Sequence, residues 1–349
     1  MNINTKLLRD ICVTPGAPGF ERPIRNLVLN TLKDIPGKVA VDNMGNVMVQ
    51  VTGKSSDKKV MIGAHMDEIG FIVTHIDDNG FLRFHTLGGF DPKTLTAQRV
   101  IVHGTKDVVG VMGSKPIHVM SAEERNKVAK ISDYFIDLGM DKEAVEKVVR
   151  IGDPITRDRD LVEMGNCVNC KSIDNRVSVF ILLEVLRNLG TPAYDTYGVF
   201  TVQEEVGIRG ANVAAHQINP DFGIGLDTTI AFDLPGAQAH EKVTKLGEGT
   251  AIKIMDASTI CDYRMVDFMK KTADENKIKW QPEILTAGGT DTAGIQRMGK
   301  NGAISGAISI PTRHLHQVIE MADKSDIQGS INLLKACLES LDGYDWSHK

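Results

Sequence analysis

Tyr197-Gly198-Val199-Phe200-Thr201-Val202-Gln203-Glu204-Glu205-Val206-Gly207 is an apolar run that ends abruptly on two adjacent carboxylates. Its first half, Tyr197 to Phe200, reads as a buried strand. In open α/β sheets ligands gather at the carboxyl ends of the strands, so a strand delivering two acids there marks a place for chemistry. Buried acids side by side repel and stay protonated by preference. A bound cation removes that cost. Taken singly the pair also fits a solvated strand end, and the neighbouring strands decide between the two.

Those strands end in the same way. Val60 to Gly63 runs into His65-Met66-Asp67, Phe222 to Leu226 ends in Asp227, and Ala303 to Ile310 leads to His314-Leu315-His316. Asp174 stands just ahead of a long apolar segment, Arg176 to Leu189, which the pattern predicts to be a buried helix. An N-cap carboxylate is favoured at that position anyway. Histidines and carboxylates converging on strand ends suit Zn²⁺, Co²⁺ or Mn²⁺ better than Ca²⁺, which prefers oxygen alone. His75, His85, His103, His216 and His240 fall mid-segment or in loops and are given no role.

Outward from this centre, helix and strand patterns alternate. Leu7, Leu8, Ile11 and Cys12, then Ile24, Leu27, Val28 and Leu32, lie at helical spacing. Lys38 to Asp42 and Val47 to Val51 flank Asn43-Met44-Gly45-Asn46 as a hairpin. Further helices are predicted over Ala211 to His216, Tyr263 to Lys277 and Ile327 to Leu341, a strand over Ala251 to Ile254, and a tight loop at Gly288-Gly289-Thr290-Asp291. Between Gly70 and Ile155 the texture differs. Short alternating runs at Phe71 to His75, Phe81 to Phe84, Arg99 to His103 and Val108 to Met112 are separated by turns, with a single helix at Asp141 to Val149. The prediction is an α/β fold, a mixed β-sheet sandwiched by helices, with a small β-rich domain inserted into it. The first domain comprises residues 1–69 and 157–349, and the inserted barrel-like domain residues 70–156.

Composition limits the partners. Of 349 residues, 42% are hydrophobic and 24% charged, ordinary values for a soluble globular chain with a sizeable core. A net charge of -5 argues against nucleic acid or an anionic membrane as the main partner. Met1 to Ile11 carries no apolar signal region, and the run near Val177 to Leu183 is too short to span a bilayer. The five scattered cysteines point to reduced thiols and a cytoplasmic location. Cys167-x-x-Cys170 has no second pair beside it and is read as incidental packing.

Together the motifs resemble the tetrahedral aminopeptidases, a family that also holds the glutamyl and deblocking aminopeptidases. They are Gly63-Ala64-His65-Met66-Asp67-Glu68-Ile69-Gly70, Ser172-Ile173-Asp174-Asn175-Arg176, Gln203-Glu204-Glu205-Val206-Gly207, Gly225-Leu226-Asp227 and Pro311-Thr312-Arg313-His314-Leu315-His316. The resemblance covers essentially the whole chain. It implies a zinc-aminopeptidase-like fold and a metal-dependent hydrolase releasing amino-terminal residues from peptides. It further implies two divalent ions per subunit, and dimers built through the inserted domain that assemble into a dodecamer. Residue by residue, His65 and Asp227 would hold one metal, Glu205 and His316 the other, and Asp174 would bridge them. Glu204 matches the general base, and Asp67 the carboxylate that orients its neighbouring histidine. One departure stands out. The family usually has Tyr-x-His-Ser after Pro-Thr-Arg, and here His314-Leu315-His316-Gln317 follows instead. If this stretch is a strand, positions two apart face the same way, and His314 competes with His316 as a ligand.

Charge counting agrees. Two divalent ions against Asp174, Glu205 and Asp227 leave one positive charge, which a bridging hydroxide would balance. Two other reaction types use some of the same residues. A carboxypeptidase or N-deacylase would need a cationic clamp, for which Arg176, Arg209 and Arg313 are candidates. An endoglucanase would need two carboxyls facing each other across the scissile bond, which adjacent residues cannot supply.

Overall fold

The computed structural model describes residues 3–348. The described residues form an 11-stranded mixed sheet and a separate closed six-stranded barrel. In the sheet the order is Lys38–Val41, Val47–Val51, Tyr194–Thr201, Ser55–His65, Phe222–Ile230, Ile304–Arg313, Glu320–Asp323, Cys167–Cys170 and Val162–Met164. Thr250–Met255 branches off Ile304–Arg313 and carries Trp280–Ile284 at its far edge.

Side-chain alternation along the central strand builds both faces of the sheet. Val60, Ile62 and Ala64 enter the main core, while Met61 enters a smaller cluster on the other side. The main core is made with Thr5–Val13, Arg22–Leu32, Ile173–Asn188, Tyr263–Glu275 and Lys324–Ser340. Opposite, Ala214, Ala215 and Ile218 of Arg209–Ile218 pack with Ile295 of Asp291–Met298. Helices therefore cover both faces, in agreement with the predicted α/β sandwich. Ile173–Asn188 is buried along nearly all of its length, as its unbroken apolar sequence requires.

Glycine sets how closely the second helical layer approaches. A Cβ on Gly225 would collide with Thr292, and one on Gly223 with Ile295. Their absence lets Asp291–Met298 lie against the sheet and brings Asp291 up beside the end of the central strand.

The barrel follows the strand order Gly70–Ile76, Leu82–Leu87, Phe135–Asp137, Asp107–Gly113, Arg99–His103 and Pro154–Arg157, and closes on itself. Its own apolar centre contains Phe71, Leu82, Val100, Val102, Ile136 and Ile155. Closure removes free edges within the barrel. Besides Lys142–Val148, the short helix Ala122–Arg125 lies in this segment, where a single helix was predicted.

The sheet is larger than the sequence predicts. Val162–Met164, Cys167–Cys170, Trp280–Ile284 and Glu320–Asp323 are short or partly polar, and it is pairing at the margins of the sheet that gives them strand geometry. All five cysteines are unpaired. No helix among the described residues is long and apolar enough to cross a membrane.

Candidate metal centre

Parallel pairing brings three of the acid- and histidine-bearing segments to one level. Thr201 pairs with His65, and Gly225 with Gly63, so Asp227 and His65 stand level two residues further on. Asp227 is not at a strand end. Its strand continues to Ile230, because the following residues keep pairing with Ile304–Arg313.

The backbone turns earlier near the glutamate pair than the sequence suggests. Glycine's tolerance of unusual dihedrals would place a turn at Val206-Gly207, but the strand stops at Thr201 and Gln203 already adopts φ +55. The amides of Gly207 and Ile208 then both donate to the Glu204 carbonyl at 2.9 Å. Asp67 secures this turn through its carboxylate, which accepts the amides of Glu204 at 3.0 Å and Glu205 at 3.1 Å. Both glutamate side chains consequently reach the same cavity.

Asp174 does not cap its helix. Ser172 occupies the N-cap position, and Asp174 sits in the first turn with non-helical dihedrals, its carboxylate at the cavity. Its Oδ1 lies 3.4 Å from His65 Nε2 and its Oδ2 lies 3.0 Å from His316 Nε2. Around the first oxygen, His65 Nε2 is 3.7 Å from both Asp227 Oδ1 and Glu204 Oε2. Around the second, His316 Nε2 is 3.5 Å from Glu205 Oε2. The cluster thus has two halves that share Asp174.

His65 Nδ1 lies 3.1 Å from the Asp67 carbonyl and 3.5 Å from the Asp67 carboxylate. A proton on Nδ1 donated there leaves the Nε2 lone pair facing the cluster. His314 and His316 belong to a turn beyond the strand Ile304–Arg313, both with left-handed backbone, so strand alternation does not relate them. His316 faces Asp174 and Glu205, while His314 is exposed on the cavity rim.

Single atoms of His65, Asp174 and Glu205 lie within 4.8 Å of one another, a grouping able to hold a metal ion. The fit is supported by buried oxygens that lack a partner. Asp174 Oδ1 and Glu205 Oε1 accept no hydrogen bond, the 3.4 Å approach of His65 being too poorly aligned to count. Burial drives the Glu205 carboxyl up to about 8, with Asp174 and Asp67 adding repulsion against the pull of His316. Burial likewise raises Glu204 and Asp227 well above the carboxylate range, each repelled by acidic neighbours. Burial opposes a charge on His316 too, yet Glu205 and Asp174 lift it to about 10. Burial would also raise Asp174, but the imidazoles of His316 and His65 close to its two oxygens hold it far below its usual range.

Sequence reasoning overlooked two buried acids. Glu320 accepts the amide of Asp174 at 2.9 Å and that of His316 at 3.2 Å, so one carboxylate ties together the turns that carry them. An isolated acid between Ile319 and Met321 gives no signal of this. Asp291, buried, accepts a hydrogen bond from Thr201 Oγ1, on the residue that pairs with His65. The Thr-Asp pair after two glycines is a helix-start signal that could have flagged it. If the metal fits as described, Glu320→Ala should weaken metal affinity about 10–100-fold, the usual scale for an outer support. Calorimetric titration of the metal-free variant, compared with wild type, checks this; unchanged affinity would remove Glu320 from the site.

A family model described as M42 glutamyl aminopeptidase matches residues 45–333. The lysyl aminopeptidase of Pyrococcus furiosus is 33% identical over 99% of this chain and 99% of its own. An aminopeptidase structure from the archaeon Desulfurococcus kamchatkensis shares 38% identity, covers 96% of this chain and 94% of its own, and superposes with a TM-score of 0.92. A Pyrococcus horikoshii TET1 peptidase, described as able to assemble into a tetrahedron or a large octahedral shell, shares 29% identity over 96% of this chain and 98% of its own, with a TM-score of 0.86.

Proposed function

The chain belongs to the M42 glutamyl aminopeptidase family, and from that premise we propose that it removes amino-terminal residues from peptides at a site holding two divalent cations, zinc or cobalt, with manganese also suited. It is a hydrolase of peptide bonds. His65 and Asp227 would hold one cation, Glu205 and His316 the other, and Asp174 both. Bound there, the ions supply Lewis-acid polarisation of the scissile carbonyl and acidify a water molecule. Glu204, whose Oε2 lies 3.7 Å from His65 Nε2, takes a proton from the attacking water and returns it to the departing amine as the C–N bond breaks. Asp67 holds Glu204 and Glu205 in register through their amides, and steadies His65.

The observation that carries the choice of the amino end is the charge of the cavity. Among the described residues it offers no available cation for a substrate carboxylate, since Lys253, which lines it, is paired with Glu283 and Asp256. Arg176 is fully buried and donates to the carbonyls of Ile11 at 2.6 Å and Thr14 at 2.7 Å. Arg313 is tied to Asp233 at 2.7 and 2.5 Å, and Arg209 reaches Gln203 at 3.3 Å. None of the three lines the cavity. This weighs against a carboxypeptidase. Adjacent glutamates clamped by one aspartate also cannot flank a glycosidic bond, which requires carboxyls roughly 5 to 9.5 Å apart on opposite sides. The experiment is hydrolysis of one peptide series with free and acetylated amino termini, with and without chelator. Equal rates on both termini would sink the aminopeptidase assignment in favour of an N-deacylase or endopeptidase.

The unpaired cysteines support a reducing, cytoplasmic setting. We assign residues 1–69 and 157–349 to the catalytic domain and 70–156 to a dimerisation domain, through which dimers build a dodecamer. The barrel segment exposes Val109, Val111, Ile117, Val119 and Val128, a surface suited to burial by a second copy. Sedimentation as a monomer at working concentration would exclude this.

Metal dependence should vary with pH in a defined direction. Glu205 and Glu320 are raised by burial to about 8 and about 7, above their ordinary 4.5. The stability their protonated forms contribute is complete below about pH 4.5 and is lost as pH rises through those values. His316, lifted from 6.5 to about 10, acts in the same sense, its contribution complete below 6.5 and lost toward 10. The metal-free protein should therefore melt lower at pH 8 than at pH 5.5. Cations need deprotonated ligands, so the Tm increase on adding Co²⁺ or Zn²⁺ should be larger at pH 8. An increase that is equal or greater at pH 5.5 would contradict the ligand set.

A further inference from the structure

The cavity beside the carboxylates has a second wall that the proposed chemistry does not use. We propose that this wall seats the side chain of the substrate's amino-terminal residue, and that it takes uncharged apolar side chains of the size of leucine or phenylalanine. The proposal rests on the aminopeptidase reading above, which leaves a single residue on the amino side of the scissile bond.

Ile208, Ile230, Phe232, Leu234, Leu285 and Leu315 line the cavity, which has a volume of about 630 Å³. None of the six is buried; each retains solvent exposure. They come from separate places: the turn after Glu205, the end of Phe222–Ile230 and its continuation, the residue after Trp280–Ile284, and the turn carrying His316. One exposed leucine needs no explanation. Six apolar side chains converging on one concavity beside a polar cluster describe a binding site.

The charges decide what the wall admits. Outside the metal cluster, the formally charged residues lining the cavity are Lys253 and Asp256. Lys253 Nζ lies 2.8 Å from Glu283 and 3.2 Å from Asp256, and all three side chains are buried. Asp256 also accepts the amides of Ser258 and Thr259 at 2.8 Å each, and the Thr290 hydroxyl at 3.2 Å. Neither charge is available unless an existing pair breaks. A glutamate or lysine side chain entering here would leave water without gaining an opposite charge, the other polar groups being Thr228, Thr290, His314 and Gln317. A leucine side chain would instead bury apolar surface against apolar surface.

The test uses the metal-loaded full chain and the p-nitroanilides of leucine, phenylalanine, glutamate and lysine, which share one leaving group. The kcat/KM for leucine or phenylalanine should exceed that for glutamate and for lysine by about tenfold or more. Calorimetry with the free amino acids as probes should give the same order. Leu285→Arg, placing a cation on the exposed part of the wall, should raise glutamate relative to leucine by about tenfold. A wild-type preference for glutamate or lysine, or equal use of all four, overturns the proposal. If no anilide is hydrolysed, the aminopeptidase reading fails separately and calorimetry still decides. Tighter binding of leucine then sustains the wall, and the absence of a preference overturns it.

Discussion

Glu204→Gln should lower turnover by about a hundredfold or more, the usual scale for losing a general base, while leaving metal content unchanged. The amide keeps the shape of the side chain and the backbone bond from Glu204 to Asp67, so the turn and its neighbour Glu205 stay in place. What is lost is a group able to take a proton and give it back. Glu205→Gln removes instead an anion that lies 3.5 Å from His316, and it should lose metal first, with excess metal partly restoring activity. Metal stoichiometry measured beside kcat for each variant separates the roles. A Glu204→Gln protein that had lost metal, beside a Glu205→Gln protein that retained both ions, would reverse the assignment of base and ligand.

The second large effect belongs to Asp174. Its two oxygens face opposite halves of the cluster, at 3.4 Å from His65 and 3.0 Å from His316. Asp174→Asn keeps the amide bond to Glu320 and the local fold, yet withdraws a charge that both halves share. Both ions should bind more weakly, each by more than the roughly 10–100-fold typical of an outer support, and activity should fall below that of either glutamate variant. The substitution should also lower the melting temperature of the metal-free protein, because His65 and His316 lose the carboxylate they both face. A variant that still titrates two ions with wild-type affinity would show that Asp174 is not shared between them.

These outcomes depend on features that stand at different distances from the sequence. Local rules were enough to place the helix Arg22–Leu32, the hairpin at Asn43 to Asn46 and the buried helix following Asp174, since periodicity and turn residues act within a few positions. The change of texture between Gly70 and Ile155 was legible for the same reason. Short strands such as Cys167–Cys170 and Glu320–Asp323 were not, because each is only four residues long and joins the sheet partly by pairing with the other, about 150 residues away.

By itself the sequence determined which residue types the buried segments carry on or just beyond them: His65, Asp174, the Glu204-Glu205 pair, Asp227 and His316. It also determined that the segments carrying them are apolar enough to be buried. Only the tertiary structure decided how they face one another. The turn at Gln203, clamped by Asp67, aims two successive glutamates into one cavity, which strand alternation alone would forbid. The turn after Arg313 turns His316 toward Asp174 and leaves His314 on the rim. Glu320 joins two turns that are distant in sequence. The physical reason is common to all three. Each of these side chains is positioned by the hydrogen bonds its backbone makes to other segments, and those partners are chosen by the packing of the whole sheet.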